Sequence, residues 1–151
     1  FEIALAADLV VAAEHAAFFM PETGLGIIPD AGAIRLPRIL PPVVANEVLY
    51  AGRRLKADEA LRWGLVNAVV PADRLLDEAR ALAARIMASA PLAVEAVIAV
   101  DRTTRSLPLD EAFAHLRSGE LDAYERMLAS EDAEEGPRAF TEGRDPHWQG
   151  R

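Results

Sequence analysis

Apolar and polar positions change rhythm near residue 71. Before it, short apolar runs alternate with glycine and proline; after it, apolar residues recur at helical spacing almost without a break. Residues 2–7 (EIALAA), rich in alanine and leucine, predict a helix. Residues 9–12 (LVVA), set between Asp8 and Glu14, predict a short buried strand, and 17–20 (AFFM), ended by Pro21, a second. The segment ETGLGIIPDAG, 22–32, holds three glycines and a proline and predicts a loop. A short helix over 33–39 follows, and Pro41-Pro42 opens another through Tyr50, since proline suits a first helical turn. Residues 57–63 predict a compact helix stopped by Gly64, and 65–70 (LVNAVV) a third strand.

Beyond Pro71, Leu75, Ala79, Leu82 and Ile86 form the stripe of an amphipathic helix. Pro91 begins a second, with Val94, Val97 and Ile98 inward. Pro108 precedes a third, carrying Leu109, Phe113, Leu116, Tyr124 and Leu128, and Ser130 is placed to cap a fourth running towards Phe140. The chain therefore reads as α/β over 1–71 and all-α over 72–151, with a parallel sheet and crossover helices in front. Three short strands rarely complete a sheet. The sequence also starts in mid-element at Phe1, without an initiator methionine, so further strands are expected ahead of it.

Composition narrows the field. Acidic residues outnumber basic ones 24 to 16, for a formal charge of −8, which argues against a general nucleic-acid binder. With no cysteine, disulfides, thiolate metal sites and cysteine nucleophiles are excluded together. No apolar run reaches the roughly 20 residues a membrane span requires. A soluble, cytoplasmic protein with neither nucleic-acid nor membrane partners is the expectation.

Few residues remain for chemistry. His15, His115 and His147 lie far apart and lack metal-ligand spacing. Serine-hydrolase and phosphate-loop signatures are missing, and GLGIIP lacks the third glycine of a dinucleotide fingerprint. Carboxylates are left. Glu2 precedes the uncharged run IALAA, and Glu22 follows FFMP. Loss of hydration among apolar neighbours is what turns a carboxyl into a proton carrier, so both are candidates for one pocket. On the residues alone, the plainer readings of a terminal charge and a solvated loop residue are preferred. Asp30 is a proton carrier or, more simply, the N-cap of the next helix. Arg35, Arg38 and the pair Arg53-Arg54 could bind a phosphate or merely decorate the surface.

Three blocks change that weighing. FEIALAADLVVAAEHAAF, PETGLGIIPDAGAIRLPRI and AGRRLKADEALRWGLVNAVVP, in this order, resemble the central and C-terminal part of the crotonase (enoyl-CoA hydratase/isomerase) superfamily, and the resemblance covers essentially all 151 residues. ILPPVVANEVLYAGRR, DRTTRSLP, SEDAEEGPRAF and the closing RDPHWQGR resemble the branch that dehydrates carnitinyl-CoA.

The resemblance implies an α/β crotonase-like ββα superhelix, here its C-terminal part, followed by an all-α trimerisation region. It implies a lyase acting on an acyl-CoA, with no cofactor because coenzyme A is part of the substrate. Glu2 and Glu22 have the spacing and context of the family's catalytic glutamates; Glu22 is assigned to the α-carbon proton and Glu2 to the water. Both oxyanion-hole donors are expected ahead of Phe1, which leaves the isolated residues nearly inactive. Asp30 matches an acidic residue that shuttles a proton in dienoyl-CoA isomerases, or it faces the trimethylammonium of a carnitine substrate. Phe140 matches a position near the adenine of CoA, with core packing as the alternative. A homotrimer or a dimer of trimers is implied as well.

Overall fold

The computed structural model describes residues 1–151, which form two compact units, Phe1–Ala81 and Leu82–Arg151. The first contains α1 (Glu2–Ala6), β1 (Val11–Ala13), β2 (Ala17–Phe18), a 3-10 turn (Glu22–Leu25), α2 (Asp30–Ile39) and α3 (Pro42–Ala51). It continues through β3 (Leu55–Lys56), α4 (Ala57–Arg62), β4 (Ala68–Val70) and a second 3-10 turn (Ala72–Arg74). The boundary between the units falls within α5 (Leu75–Met87), and α6 (Pro91–Thr104), α7 (Leu109–Leu116), α8 (Asp122–Leu128) and α9 (Glu131–Glu142) make up the second.

Two small sheets brace the first unit. β1 pairs with β4 in parallel, Val11 opposite Ala68, and the intervening helices supply the crossover. β2 pairs antiparallel with β3, Ala17 opposite Lys56. The sequence predicted three strands; β3 is the fourth, and at two residues it is too short to show an alternating pattern. The strand foreseen over 65–70 begins only at Ala68. Leu65 and Val66 are buried in the core instead, and Asn67 occupies the lead-in. Its Oδ1 accepts the Val10 N–H at 2.8 Å while its own N–H donates to the Val10 carbonyl at 2.7 Å.

The core of this unit lies between α2, α3, α4 and the strands. Leu36 and Leu40 come from α2 and its end, Val44, Ala45, Val48 and Leu49 from α3, and Ala57 and Ala60 from α4. Met20, Leu36, Leu55 and Val48 are the largest fully enclosed side chains. Buried residues four apart on α2 and α3 are the helical stripe that the core needs.

The segment 22–32 is not plain loop. Its first four residues make a 3-10 turn, and α2 begins at Asp30 because the Pro29 carbonyl accepts the Ala33 N–H at 2.7 Å. Asp30 is therefore the first helical residue and not the cap, which corrects the simpler of its two sequence assignments.

In the helical unit the third predicted helix is two. α7 stops at Leu116, and in the link to α8 Gly119 adopts φ +77, a left-handed conformation that ordinary side chains resist. On α6 the buried residue is Ala96, whereas Val97, predicted inward, is 69% exposed. The predicted cap of α9 is observed: Ser130 Oγ accepts the Ala133 N–H at 3.2 Å. No single helix is long and apolar enough to cross a membrane.

Candidate active site

Glu2 stands at the start of α1, and its carboxylate reaches 30 residues along the chain. Oε1 accepts the Gly32 N–H at 2.8 Å. Gly32 is the third residue of α2, and the first N–H groups of a helix have no partner within it. Pro29 at the N-cap offers no side-chain oxygen, so Glu2 performs the capping from outside. At the other end of α1, Arg35 Nη1 donates to the Leu5 carbonyl at 3.2 Å. The two contacts share an offset of thirty residues, so α1 and α2 run side by side in the same direction. A five-residue helix is too short to hold itself in water. α2 holds it at both ends.

Glu22 opens the 3-10 turn, and its carbonyl accepts the Ile27 N–H at 3.1 Å. Thr23 anchors that turn by donating its hydroxyl to the Leu49 carbonyl of α3 at 3.0 Å. The Glu22 Oε2 atom is buried and has no hydrogen-bond partner. An orphaned carboxylate oxygen is rare inside a protein, and function is one of the few reasons for it. Neither glutamate keeps its plainer assignment: Glu2 is a half-buried side chain that caps α2, and Glu22 is not a solvated loop residue.

Asp30 sits exposed in the first turn of α2, two residues from the N–H that Glu2 engages, where the helix dipole favours negative charge. Glu2 and Asp30 are thus brought to one helix end. Phe140 lies in the other unit, on α9, and is 89% exposed, which removes the core-packing alternative. An apolar hollow of about 570 Å³ adjoins α1, lined by Phe1, Ile3, Val10 and Phe18 among others; neither glutamate lines it. No group of three or more His, Asp or Glu side chains is arranged to hold a metal ion.

The basic candidates are engaged within the fold. Arg35 holds α1, and Arg38 donates to the Ile34 carbonyl at 2.5 Å. Arg53 pairs with Glu47 at 3.0 Å and with Glu59, and the Arg54 guanidinium lies 3.6 Å from the Phe19 ring centre. Sequence reasoning passed over Gly32, Met20 and the holding role of Arg35. The signal available was the small residue two places after Asp30, in the helix's first turn.

A separate polar cluster secures the C-terminal tail to α9. Glu135, which is buried, accepts from Arg144, Arg138 and the His147 N–H. The Arg144 bonds above all, then those of Arg138 and the His147 N–H, hold its carboxyl far below the ordinary glutamate range. The same pairing raises Arg138 and Arg144. Asp132 Oδ1 accepts the Gln149 N–H at 2.7 Å and Oδ2 the Gly150 N–H at 3.0 Å. Trp148 Nε1 donates to the Ala88 carbonyl at 2.9 Å.

Comparison with known proteins places these features in a wider group. Residues 1–151 match the family described as enoyl-CoA hydratase/isomerase. A carnitinyl-CoA dehydratase from Salmonella arizonae is 54% identical over 151 residues, covering 99% of this chain and 58% of its own length. That of Escherichia coli K12 is 54% identical over 152 residues, covering 100% and 58%. Among solved structures, an enoyl-CoA hydratase from Mycobacterium tuberculosis H37Rv superposes with a TM-score of 0.88 at 39% identity, over 99% of this chain and 58% of that one. The chain spans just over half the length of these relatives.

Proposed function

The chain belongs to the enoyl-CoA hydratase/isomerase family, and from that premise we propose that it forms part of a lyase that reversibly hydrates the 2,3-double bond of an acyl-CoA thioester. Its mixed α/β fold, mostly helical with small sheets, is the crotonase-like fold of that family. The observation that carries the reading is the pair of carboxylates in one unit. Glu2 is pinned through Oε1 to a helix N-terminus, and Glu22 has a buried oxygen with no partner of its own.

In this proposal Glu2 holds the water and accepts its proton as the oxygen bonds to the β-carbon. The π electrons move into an enolate, and Glu22 delivers a proton to the α-carbon. One O–H bond and one C=C π bond are exchanged for a C–O and a C–H bond. Solvent returns the two carboxyls to their starting states, and dehydration is the reverse. No electron leaves or enters, so the reaction calls for no redox partner. The enolate oxygen needs backbone N–H donors, which this reading assigns to chain outside these residues.

Carnitinyl-CoA and its dehydration product crotonobetainyl-CoA are the proposed pair, supported by the 54% identity to proteins named carnitinyl-CoA dehydratase. Asp30, exposed near Glu2's anchor, is assigned to the substrate's trimethylammonium group, and exposed Phe140 to the adenine of CoA. A homotrimer or hexamer in the cytoplasm completes the proposal.

The test is hydration of crotonobetainyl-CoA by the full-length protein, followed by loss of enoyl thioester absorbance. Glu2→Gln and Glu22→Gln are each expected to lose about 10²–10⁴ in kcat. Either variant turning over at the unmutated rate would remove the two-carboxylate mechanism. The 151 residues alone are expected to be slower than the full-length protein by at least about 10² to 10³, the loss of one oxyanion donor.

A further inference from the structure

We infer that Gly32 is a positioning residue that sets Glu2 and Glu22 relative to one another; this rests on the two-carboxylate reading above. Two independent contacts meet at this one position. Its N–H donates to Glu2 Oε1 at 2.8 Å, which fixes the first carboxylate. Its missing side chain makes a notch that Met20 fills: a Cβ on residue 32 would stand 2.4 Å from both the Sδ and the Cε of Met20, and 3.0 Å from Pro29 Cβ. Met20 is only two residues ahead of Glu22, and Pro21 stiffens the link between them.

The methionine has little freedom to retreat. It is 1% exposed and belongs to the core cluster with Leu36, Val48 and Leu55. A side chain on residue 32 therefore displaces the Met20 thioether into packed neighbours and strains the strand-to-turn corner that carries Glu22. The same displacement pulls the Gly32 N–H away from Glu2. Neither carboxylate touches the other through this path; they are registered on a shared glycine.

The experiment uses the full-length protein and the hydration assay. Gly32→Ala is expected to fold, shown by an intact circular dichroism spectrum, and to lose about 10–10²-fold in kcat, the scale set by a misplacement near 1 Å. KM should change by less than about threefold, because ground-state binding does not depend on the carboxylate register. Met20→Ala/Gly32→Ala makes room for the new methyl and is expected to regain most of the lost kcat. A folded Gly32→Ala with unmutated kcat overturns the inference, and so does a double variant no faster than the single. Should Gly32→Ala fail to fold, the double must fold and turn over within about tenfold of the unmutated protein, or the inference falls. Glu2→Gln and Glu22→Gln in the same assay keep the two ideas apart. If those variants stay active, the mechanism itself is lost; if they are dead while Gly32→Ala is unaffected, only the positioning role is lost.

Discussion

Glu135 and Arg144 form a two-point ion pair, Nη1 donating to Oε1 at 2.6 Å and Nη2 to Oε2 at 3.0 Å. Nine residues separate them, with the left-handed end of α9 at Gly143 between. With Arg138 and the His147 N–H added, the carboxylate fastens the end of the chain to the helix it has just left.

This arrangement has a pH signature. The carboxyl of Glu135 is held far below its ordinary value of 4.5, so its contribution to stability is complete above about pH 5, begins to drain as pH falls through that value, and goes on draining towards the much lower folded one. Thermal melts of the unmutated protein and Glu135→Gln should differ most at neutral pH, and the gap should narrow steadily below about pH 4. A gap that stays constant down to pH 3 would show that the ionisation of Glu135 contributes nothing to folding.

Asp132 makes the companion latch. It is 4% exposed and accepts two backbone N–H groups of the tail. Asp132→Ala is expected to destabilise the helical unit by about 2–3 kcal/mol in urea melts, the scale of hydrogen bonds to a charged group. Amides of Gln149 and Gly150 should exchange faster in the variant. Unchanged exchange at those two amides would count against the latch.

Leu36 is fully enclosed at the centre of the first unit. Leu36→Ala should cost about 2–5 kcal/mol by leaving a cavity between α2, α3 and the strands. The same truncation at Val97, 69% exposed, should change stability by less than about 0.5 kcal/mol. Equal losses at both would contradict the burial assigned here.

Asp30 offers a test of the acyl group. A carboxylate facing a quaternary ammonium across a few ångströms at the protein surface gains on the order of 1–3 kcal/mol. Asp30→Asn should therefore lower kcat/KM for crotonobetainyl-CoA about tenfold more than for uncharged crotonyl-CoA. Equal losses on the two substrates would remove the cation-facing role.

Local patterning carried much of the fold. Helical stripes and proline starts placed α3, α5 and α6 within a residue or two, and the small polar side chain of Ser130 marked the start of α9. Where pattern failed, a tertiary contact or a local backbone turn had decided. β3 is too short for alternation to register and exists through its pairing with β2. Asn67 reads as one more strand residue but trims β4 by bonding Val10. Gly119, one glycine in an otherwise helical run, split a predicted helix in two.

For the candidate site the division is sharper. Apolar flanks made Glu2 and Glu22 candidates, because hydration is a local property that neighbours in sequence help to set, but the family resemblance is what raised them above a terminal charge and a solvated loop residue. Sequence could not say what either would touch, since a hydrogen bond over thirty residues has no local trace. The chain's composition and periodicity determined an α/β segment leading into helices, with no cysteine and no metal-ligand spacing among its histidines. Only the folded structure decided that a helix N-terminus with no cap of its own would take Glu2 as its partner, and that a glycine in that same turn would leave room for Met20. The N–H that Glu2 takes up and the notch that Met20 fills arise only when α2 has formed and the chain has packed around it.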